Sequence, residues 1–335
     1  MTRGGGLVSV LFPVGPGVPQ AGEALRDLLQ QDYHSFEVIA ILNGVAAAAR
    51  SEFLRERDER LTVIDLGEKA DLLAALDVGV SASRGRWLAR MDSDDRCCPT
   101  RLRQTMAPLL SGAAEVASCG IRLEGAQGRG MQRYVDWVNG LVTSEQVWRE
   151  RFVESPVVQP TVILSREVLE EAGGYRRDDF AEDYSLWLRL CRMGARFAKV
   201  REELYFWRDR EGRLTRSDPR FSQRRMLQLK AEALAELPQV RARGVAFGGA
   251  GPIARKISRA LIQREVEVHG FFEVDRKKIG RECRGRPVVG MEKFGKQWRE
   301  AVFLGAVGLP GVREDLRERA ETVGFMEGDD FFCCC

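Results

Sequence analysis

Apolar runs and helical apolar faces alternate along the first hundred residues. Leu7 to Val14 is an unbroken apolar stretch with one serine, and Gly15-Pro16-Gly17 closes it. Such a run bounded by breakers predicts a strand buried on both faces, followed by a sharp loop. Ala24, Leu25, Leu28 and Leu29 then fall on one face of a helix. Phe36 to Leu42 predicts a second buried strand, stopped by Asn43-Gly44, and Leu61 to Asp65 a third. Leu72, Leu73, Leu76 and Val80 form another helical face, leading into Trp87-Leu88-Ala89-Arg90-Met91. Strand, helix, strand, helix is the order of a parallel α/β sheet, whose right-handed crossovers bring the strand ends to one edge.

The run from Trp87 ends in Asp92-Ser93-Asp94-Asp95, three carboxylates within four residues. A buried strand stopping there delivers the acids to the edge where open α/β sheets bind ligands. Oxygen-only ligands in an Asp-x-Asp pair suit Mg²⁺ or Mn²⁺, with substrate phosphates completing the shell. The competing reading is a solvated acidic turn capping the next helix. Further along, Glu182-Asp183 opens a helix whose Leu186, Leu190 and Met193 share a face and which stops at Gly194. Acids there also serve as ordinary partners of the helix dipole.

A second α/β pattern follows a charged, helix-forming stretch of residues 218–240. Val245-Ala246-Phe247 runs into Gly248-Gly249-Ala250-Gly251-Pro252, and a helix with Ile253, Ile257, Ala260 and Leu261 on one face comes next. Val266 to Phe272 then predicts a strand ending near Glu273 and Asp275, with Ala301 to Gly305 and a helix over 311–323 beyond it. This is the Gly-x-Gly-x-x-Ala arrangement of a Rossmann unit, so Gly249 and Gly251 are candidates for a nucleotide phosphate. The alternative is a tight strand-to-helix turn that binds nothing. The division expected is residues 1–217, a helical linker over 218–240, and residues 241–335.

Composition narrows the classes. The chain has 335 residues, 44% hydrophobic and 30% charged, which are globular values. A net charge of +3 from 52 basic and 49 acidic residues, without basic stripes, argues against a nucleic-acid partner. No apolar run approaches the roughly 20 residues of a membrane span. The first six residues lead into a strand and do not resemble a signal peptide, so a cytoplasmic protein is expected, with peripheral association at the inner membrane face allowed. Eight cysteines without a CxxC pair, and two histidines, do not make a zinc site. Cys333-Cys334-Cys335 is expected to be a strand end or tail rather than a soft-metal or acylation site.

The ordered motifs resemble glycosyltransferase family 2, of the GT-A fold. They are Ser9-Val10-Leu11-Phe12-Pro13-Val14, Glu37-Val38-Ile39, Asn43-Gly44, Ala75-Leu76-Asp77-Val78-Gly79 and Ala89-Arg90-Met91-Asp92-Ser93-Asp94-Asp95. Pro99 with Arg101-Leu102, Gln159-Pro160-Thr161-Val162, Gly173-Gly174-Tyr175 and Glu182-Asp183-Tyr184-Ser185-Leu186-Trp187-Leu188-Arg189-Leu190 continue the series. The resemblance implies a GT-A nucleotide-diphospho-sugar transferase sheet, with a smaller Rossmann-like domain behind it. It implies transfer of a sugar from a nucleotide-sugar, a UDP-sugar first among donors, to a glycan or lipid-linked acceptor, with inversion. Asp92 falls near the donor and with Asp94 on Mn²⁺ or Mg²⁺, and Asp95 offers a second contact. Pro13, Val14 and Asn43 match positions lining the base pocket, where an Asn43 amide can pair with a uracil edge. Asp183 matches the catalytic base, with Glu182 beside it. His34 and His269 sit in no motif, which also leaves the base to a carboxylate. Arg208 and the segment from Arg213 to Ser217 are candidates to close over the diphosphate. Two departures stand out: Gly15-Pro16 replaces the family's frequent Tyr-Asn, and Leu42-Asn43 stands where an acid is usual. Gly270-Phe271-Phe272-Glu273-Val274-Asp275 resembles the small Rossmann-like domain of sugar-modifying acyltransferases. Two other functions compete: a nicotinamide-dependent oxidoreductase centred on the glycine loop, and a non-catalytic nucleotide-sugar-binding scaffold.

Overall fold

The computed structural model describes residues 6–125, 128–176, 179–209, 218–309 and 311–335. The candidate residues Arg213 to Ser217 lie outside them. Two compact units emerge. The first comprises residues 1–147, 157–178 and 182–213, and the second 148–156, 179–181 and 214–335. Helices Gln223–Ala235 and Pro238–Arg243 are therefore built into the second unit.

The first unit holds an eight-stranded sheet. Its strands are β1 (Val8–Val14), β2 (Phe36–Leu42), β3 (Leu61–Asp65), β4 (Trp87–Arg90), β5 (Arg96–Cys97), β6 (Val116–Glu124), β7 (Ile163–Ser165) and β8 (Phe197–Arg208). Their order is β3-β2-β1-β4-β7-β6-β8-β5. β3, β2, β1 and β4 are mutually parallel, while β7 runs against both β4 and β6. All seven residues of β1 and of β2 are buried, as continuous apolar runs require when both faces are covered. β3 is only partly buried because it is the edge strand. Val14 pairs with Leu42, and Leu11 with Arg90. The residues that follow these strand ends, Gly15, Asn43 and Met91–Asp95, thus share one sheet edge. The expected α/β sheet is present, with a mixed half after β4 that the apolar runs did not announce.

The second unit holds β9 (Val245–Gly248), β10 (Val268–Glu273), β11 (Glu282–Cys283), β12 (Arg286–Gly290), β13 (Val302–Gly305) and β14 (Phe331–Cys333). Their order is β11-β12-β10-β9-β13-β14, parallel throughout except for β11. Its core is aromatic: Phe247 stacks on Phe271 at 5.3 Å, and Phe303 contacts Phe272, Phe294, Phe325 and Phe331. Residues 148–156 join it through Phe152, edge-on to Phe332 at 5.5 Å, and through Val153, whose carbonyl accepts from Lys230 Nζ at 2.7 Å. Cys333 and Cys334 are buried at the end of β14. Burial pushes the Cys334 thiol up to about 12 and Cys335 up to about 11, which removes them as ready thiolate ligands.

No helix among the described residues is long and apolar enough to cross a membrane.

Candidate active site

Asp92, Asp94 and Asp95 gather at the end of β4, each offering a carboxylate oxygen within 4.8 Å of the others. Among the described residues this is the one group of three or more His, Cys, Asp or Glu ligands so placed. The loop is held from three sides. Ahead of it, the fully buried Arg101 donates from Nη2 to the carbonyls of Arg90 and Pro160 at 2.5 and 2.7 Å. Behind it, Arg96 and Cys97 form β5 against Phe206 and Tyr205. Across it, the Tyr205 hydroxyl donates to Asp95 Oδ2 at 2.8 Å and accepts from the Asp92 N–H at 3.4 Å. Asp95 Oδ1 accepts from the Arg208 N–H at 2.9 Å. Burial and the charges of Asp95 and Asp92 push the Tyr205 phenol far above its ordinary range, so it stays protonated as a donor.

These bonds separate the acids by role. Asp95 is fully buried and anchors the end of β8 with both oxygens. Asp92 Oδ1 is paired with Arg90 Nη2 at 2.8 Å, and its side chain keeps 28% of its surface open. Asp94 is buried within the same cluster. An all-oxygen set of this charge and spacing is one that could hold Mg²⁺ or Mn²⁺.

Glu182 and Asp183 open the helix Glu182–Arg192. Gly194, at φ +78°, ends that region in the left-handed conformation, and Met193 is 44% exposed rather than on the buried face with Leu186 and Leu190. Arg189 donates to the carbonyls of Ala172 and Gly174, so the Gly173-Gly174 turn is locked to the helix that carries Asp183. Asp183 Oδ1 accepts from the Tyr184 N–H at 2.7 Å. Burial first, and then the adjacent Glu182 carboxylate, push Asp183 up to about 7; the Tyr184 N–H and the Arg90 charge pull the other way. A carboxylate near neutrality is tuned for proton transfer at physiological pH.

The sheet edge places Pro13, Val14 and Asn43 beside this loop, but their side chains do other work. Val14 is 1% exposed within the apolar core, and its carbonyl accepts from the Asn43 N–H at 2.9 Å. The Asn43 amide is closed on one backbone unit: Nδ2 donates to the Ala70 carbonyl at 3.0 Å and Oδ1 accepts from the Ala70 N–H at 2.6 Å. The amide edge expected to meet a base therefore pins the loop before the helix Leu72–Ala82 instead. Gly249 and Gly251 lie in the other unit. Gly249 has φ +97° and a Cβ there would lie 2.5 Å from Val307, so the turn itself demands glycine. Gly251 has open space where a Cβ would stand. Glu273 Oε2 accepts from the Ala250 N–H at 3.1 Å and from Lys278 Nζ at 3.0 Å.

Sequence reasoning did not single out Arg90, Gln159, Tyr175 or Tyr205. Arg90 and Gln159 lay inside quoted motifs, but nothing in their spacing separates a buried guanidinium from a surface one.

Comparisons with known proteins find likeness to glycosyltransferases. Residues 18–173 match the family model for glycosyl transferase family 2, a stretch that includes the three acids and ends before Glu182. The O-antigen biosynthesis glycosyltransferase WbnJ of Escherichia coli is 28% identical over 187 residues, spanning 55% of this chain and 71% of that protein. The succinoglycan biosynthesis protein ExoO of Rhizobium meliloti is 27% identical over 204 residues, 58% of each. Among solved structures, S. aureus TarS in complex with UDP-GlcNAc superposes with a TM-score of 0.58 at 17% identity, covering 77% of this chain and 72% of that one. The mannosyltransferase PcManGT of Pyrobaculum calidifontis, in complex with GDP-Man and Mn²⁺, gives 0.52 at 18% identity, covering 77% and 70%. At these identities the likeness is one of fold, that of GT-A glycosyltransferases.

Proposed function

We propose that this chain, a glycosyltransferase carrying a family 2 domain, moves a sugar from a nucleotide-sugar to an acceptor hydroxyl with inversion and with a divalent cation. The observation that carries the reading is the Asp92-Asp94-Asp95 cluster on the same unit as a carboxylate raised to about 7. Asp92 and Asp94 are the residues to hold Mn²⁺ or Mg²⁺, which would offset the negative charge developing on the leaving diphosphate. Asp95, Tyr205 and Arg101 keep those two side chains in register. Asp183 Oδ1 is already engaged by Tyr184, so Oδ2 is the atom to take the proton of the attacking hydroxyl. A UDP-sugar is the donor proposed first, and a glycan or lipid-linked sugar the acceptor, consistent with relatives named for O-antigen and succinoglycan biosynthesis. With the Asn43 amide spent on Ala70, base selectivity would rest on the backbone at residues 13–15 and 43 rather than on that amide.

The pH profile tests the base. Asp183 must be ionised to accept a proton, so kcat/KM should rise through a group of pKa about 7 and level off above it. Glu182 raises that value by charge repulsion, so Glu182→Gln should move the acidic limb to lower pH without abolishing turnover. An unmoved limb would assign it to another group.

The second unit is proposed to hold a nucleotide at Gly249 and Gly251, with Asp275 as the acid offered to the ribose, since both Glu273 oxygens already accept from Ala250, Lys278, Val274 and Asp275. Support comes from the open space beside Gly251, which begins the helix Pro252–Ile262, and from the acid one strand away. Titrating the full chain in EDTA with UDP, CDP, dTDP and NAD separates the outcomes. Gly251→Val should abolish metal-independent binding. Unchanged binding would leave the loop a structural turn, and NAD as the tightest ligand would favour the oxidoreductase alternative.

A further inference from the structure

Arg90 ends β4 with a guanidinium that is only 4% exposed. Its Nη2 is paired with Asp92, whereas Nε and Nη1 are buried and have no hydrogen-bond partner among the described residues. The Nε2 of Gln159, a residue 5% exposed, is in the same condition. The two positions are neighbours: one nitrogen of Arg101 bridges the Arg90 and Pro160 carbonyls, which fixes the Gln159-Pro160 turn beside the end of β4. Tyr175 is a second neighbour of both, since Gln159 and Arg90 each act on its phenol, and Asp183 is likewise within electrostatic reach of Arg90.

A buried donor without an acceptor is a costly state, and a ligand that supplies the acceptor relieves it. All three unpartnered atoms carry donors, so their complement is ligand oxygen. Charge decides which oxygen. Asp92, Asp94, Asp95, Glu182 and Asp183 already supply carboxylates on this unit. One more anion would be repelled, and neutral hydroxyls would not.

We propose that Arg90 and Gln159 read the sugar of the donor, taking hydroxyl oxygens of its ring between the metal-holding acids and Asp183. The proposal rests on the donor-site reading above. It makes the pair a specificity device: epimers that move a hydroxyl away from these donors leave them unpaired again.

The test is calorimetry on the full chain with Mn²⁺, using UDP, GDP, UDP-glucose, UDP-galactose, their N-acetyl forms and GDP-mannose. Wild type is compared with Arg90→Lys, which keeps the charge beside Asp92, and with Gln159→Leu. Each variant should bind the preferred nucleotide-sugar about 10- to 100-fold more weakly, with the bare nucleoside diphosphate unchanged and epimer discrimination reduced. Equal loss for sugar nucleotide and bare diphosphate would overturn the proposal, because Arg90 would then act through Asp92 on the metal. Unchanged binding of both would overturn it too. If Arg90→Lys fails to give a cooperative thermal transition, Gln159→Leu decides alone. Wild-type binding of none of the nucleotides would instead overturn the donor-site reading.

Discussion

Asp183→Asn is expected to lower the rate of sugar transfer by about 10²- to 10⁴-fold, the range in which a positioned general base contributes. The amide keeps an oxygen for the Tyr184 N–H but has no lone pair basic enough to accept a proton. Donor affinity should stay within about twofold of wild type, because a base acts on the acceptor hydroxyl and the loss belongs in kcat. Stability gives an independent sign. The folded pKa of Asp183 is raised to about 7 from an ordinary 3.8, so the native chain binds the proton more tightly than the unfolded one. The destabilisation from ionising it grows as pH rises from about 4 to about 7 and then levels off. Asp183→Asn should therefore melt no lower than wild type at pH 8, measured by circular dichroism. A lower melting point together with normal transfer would place Asp183 in the fold rather than in the chemistry.

Asp94→Ala is the second large effect. A buried carboxylate in a cluster of three is removed without touching the Asp95 anchors to Tyr205 and Arg208. Metal-dependent donor binding should disappear, and turnover should fall about 10³-fold or more, several kcal/mol of lost charge stabilisation. The fold should survive, because repulsion among the three neighbouring carboxylates opposes folding and one of them is gone. Mn²⁺ titration in the presence of UDP separates the two effects. Retained metal binding with lost turnover would move the ligand role from Asp94 to its neighbours.

How much of this was legible follows from the kind of signal each part leaves. β1 and β2 are unbroken apolar runs buried on both faces, and they read directly. So did the abrupt change from Ala89 to Asp92 and the helix from Glu182, whose Leu186 and Leu190 are fully buried. The mixed half of the sheet did not. β8 runs through Lys199 to Glu203 with mostly partial or full exposure, so it has no apolar run and pairs through its backbone with β6. β5 has two residues and exists only because β8 lies beside it. The acid cluster was legible as a motif, but the division of labour within it was not. Tyr205 lies 110 residues from Asp95, and no local pattern pairs a phenol with an acid at that distance. Asn43 shows the opposite failure. Its place at a strand end was legible, yet its amide is absorbed by Ala70, 27 residues away. In the second unit the strand-glycine-helix order was clear, whereas recruitment of residues 148–156 leaves no trace in their spacing.

The most direct measurement is nucleoside diphosphate release from a panel of UDP-, GDP-, CDP- and dTDP-sugars by the purified chain, with Mn²⁺, with Mg²⁺ and with EDTA, beside Asp94→Ala. The account predicts release from at least one sugar nucleotide, dependent on the cation and absent from the variant. Release that persists in EDTA and in Asp94→Ala, or no release and no binding of any donor by the wild-type chain with either metal, would contradict it.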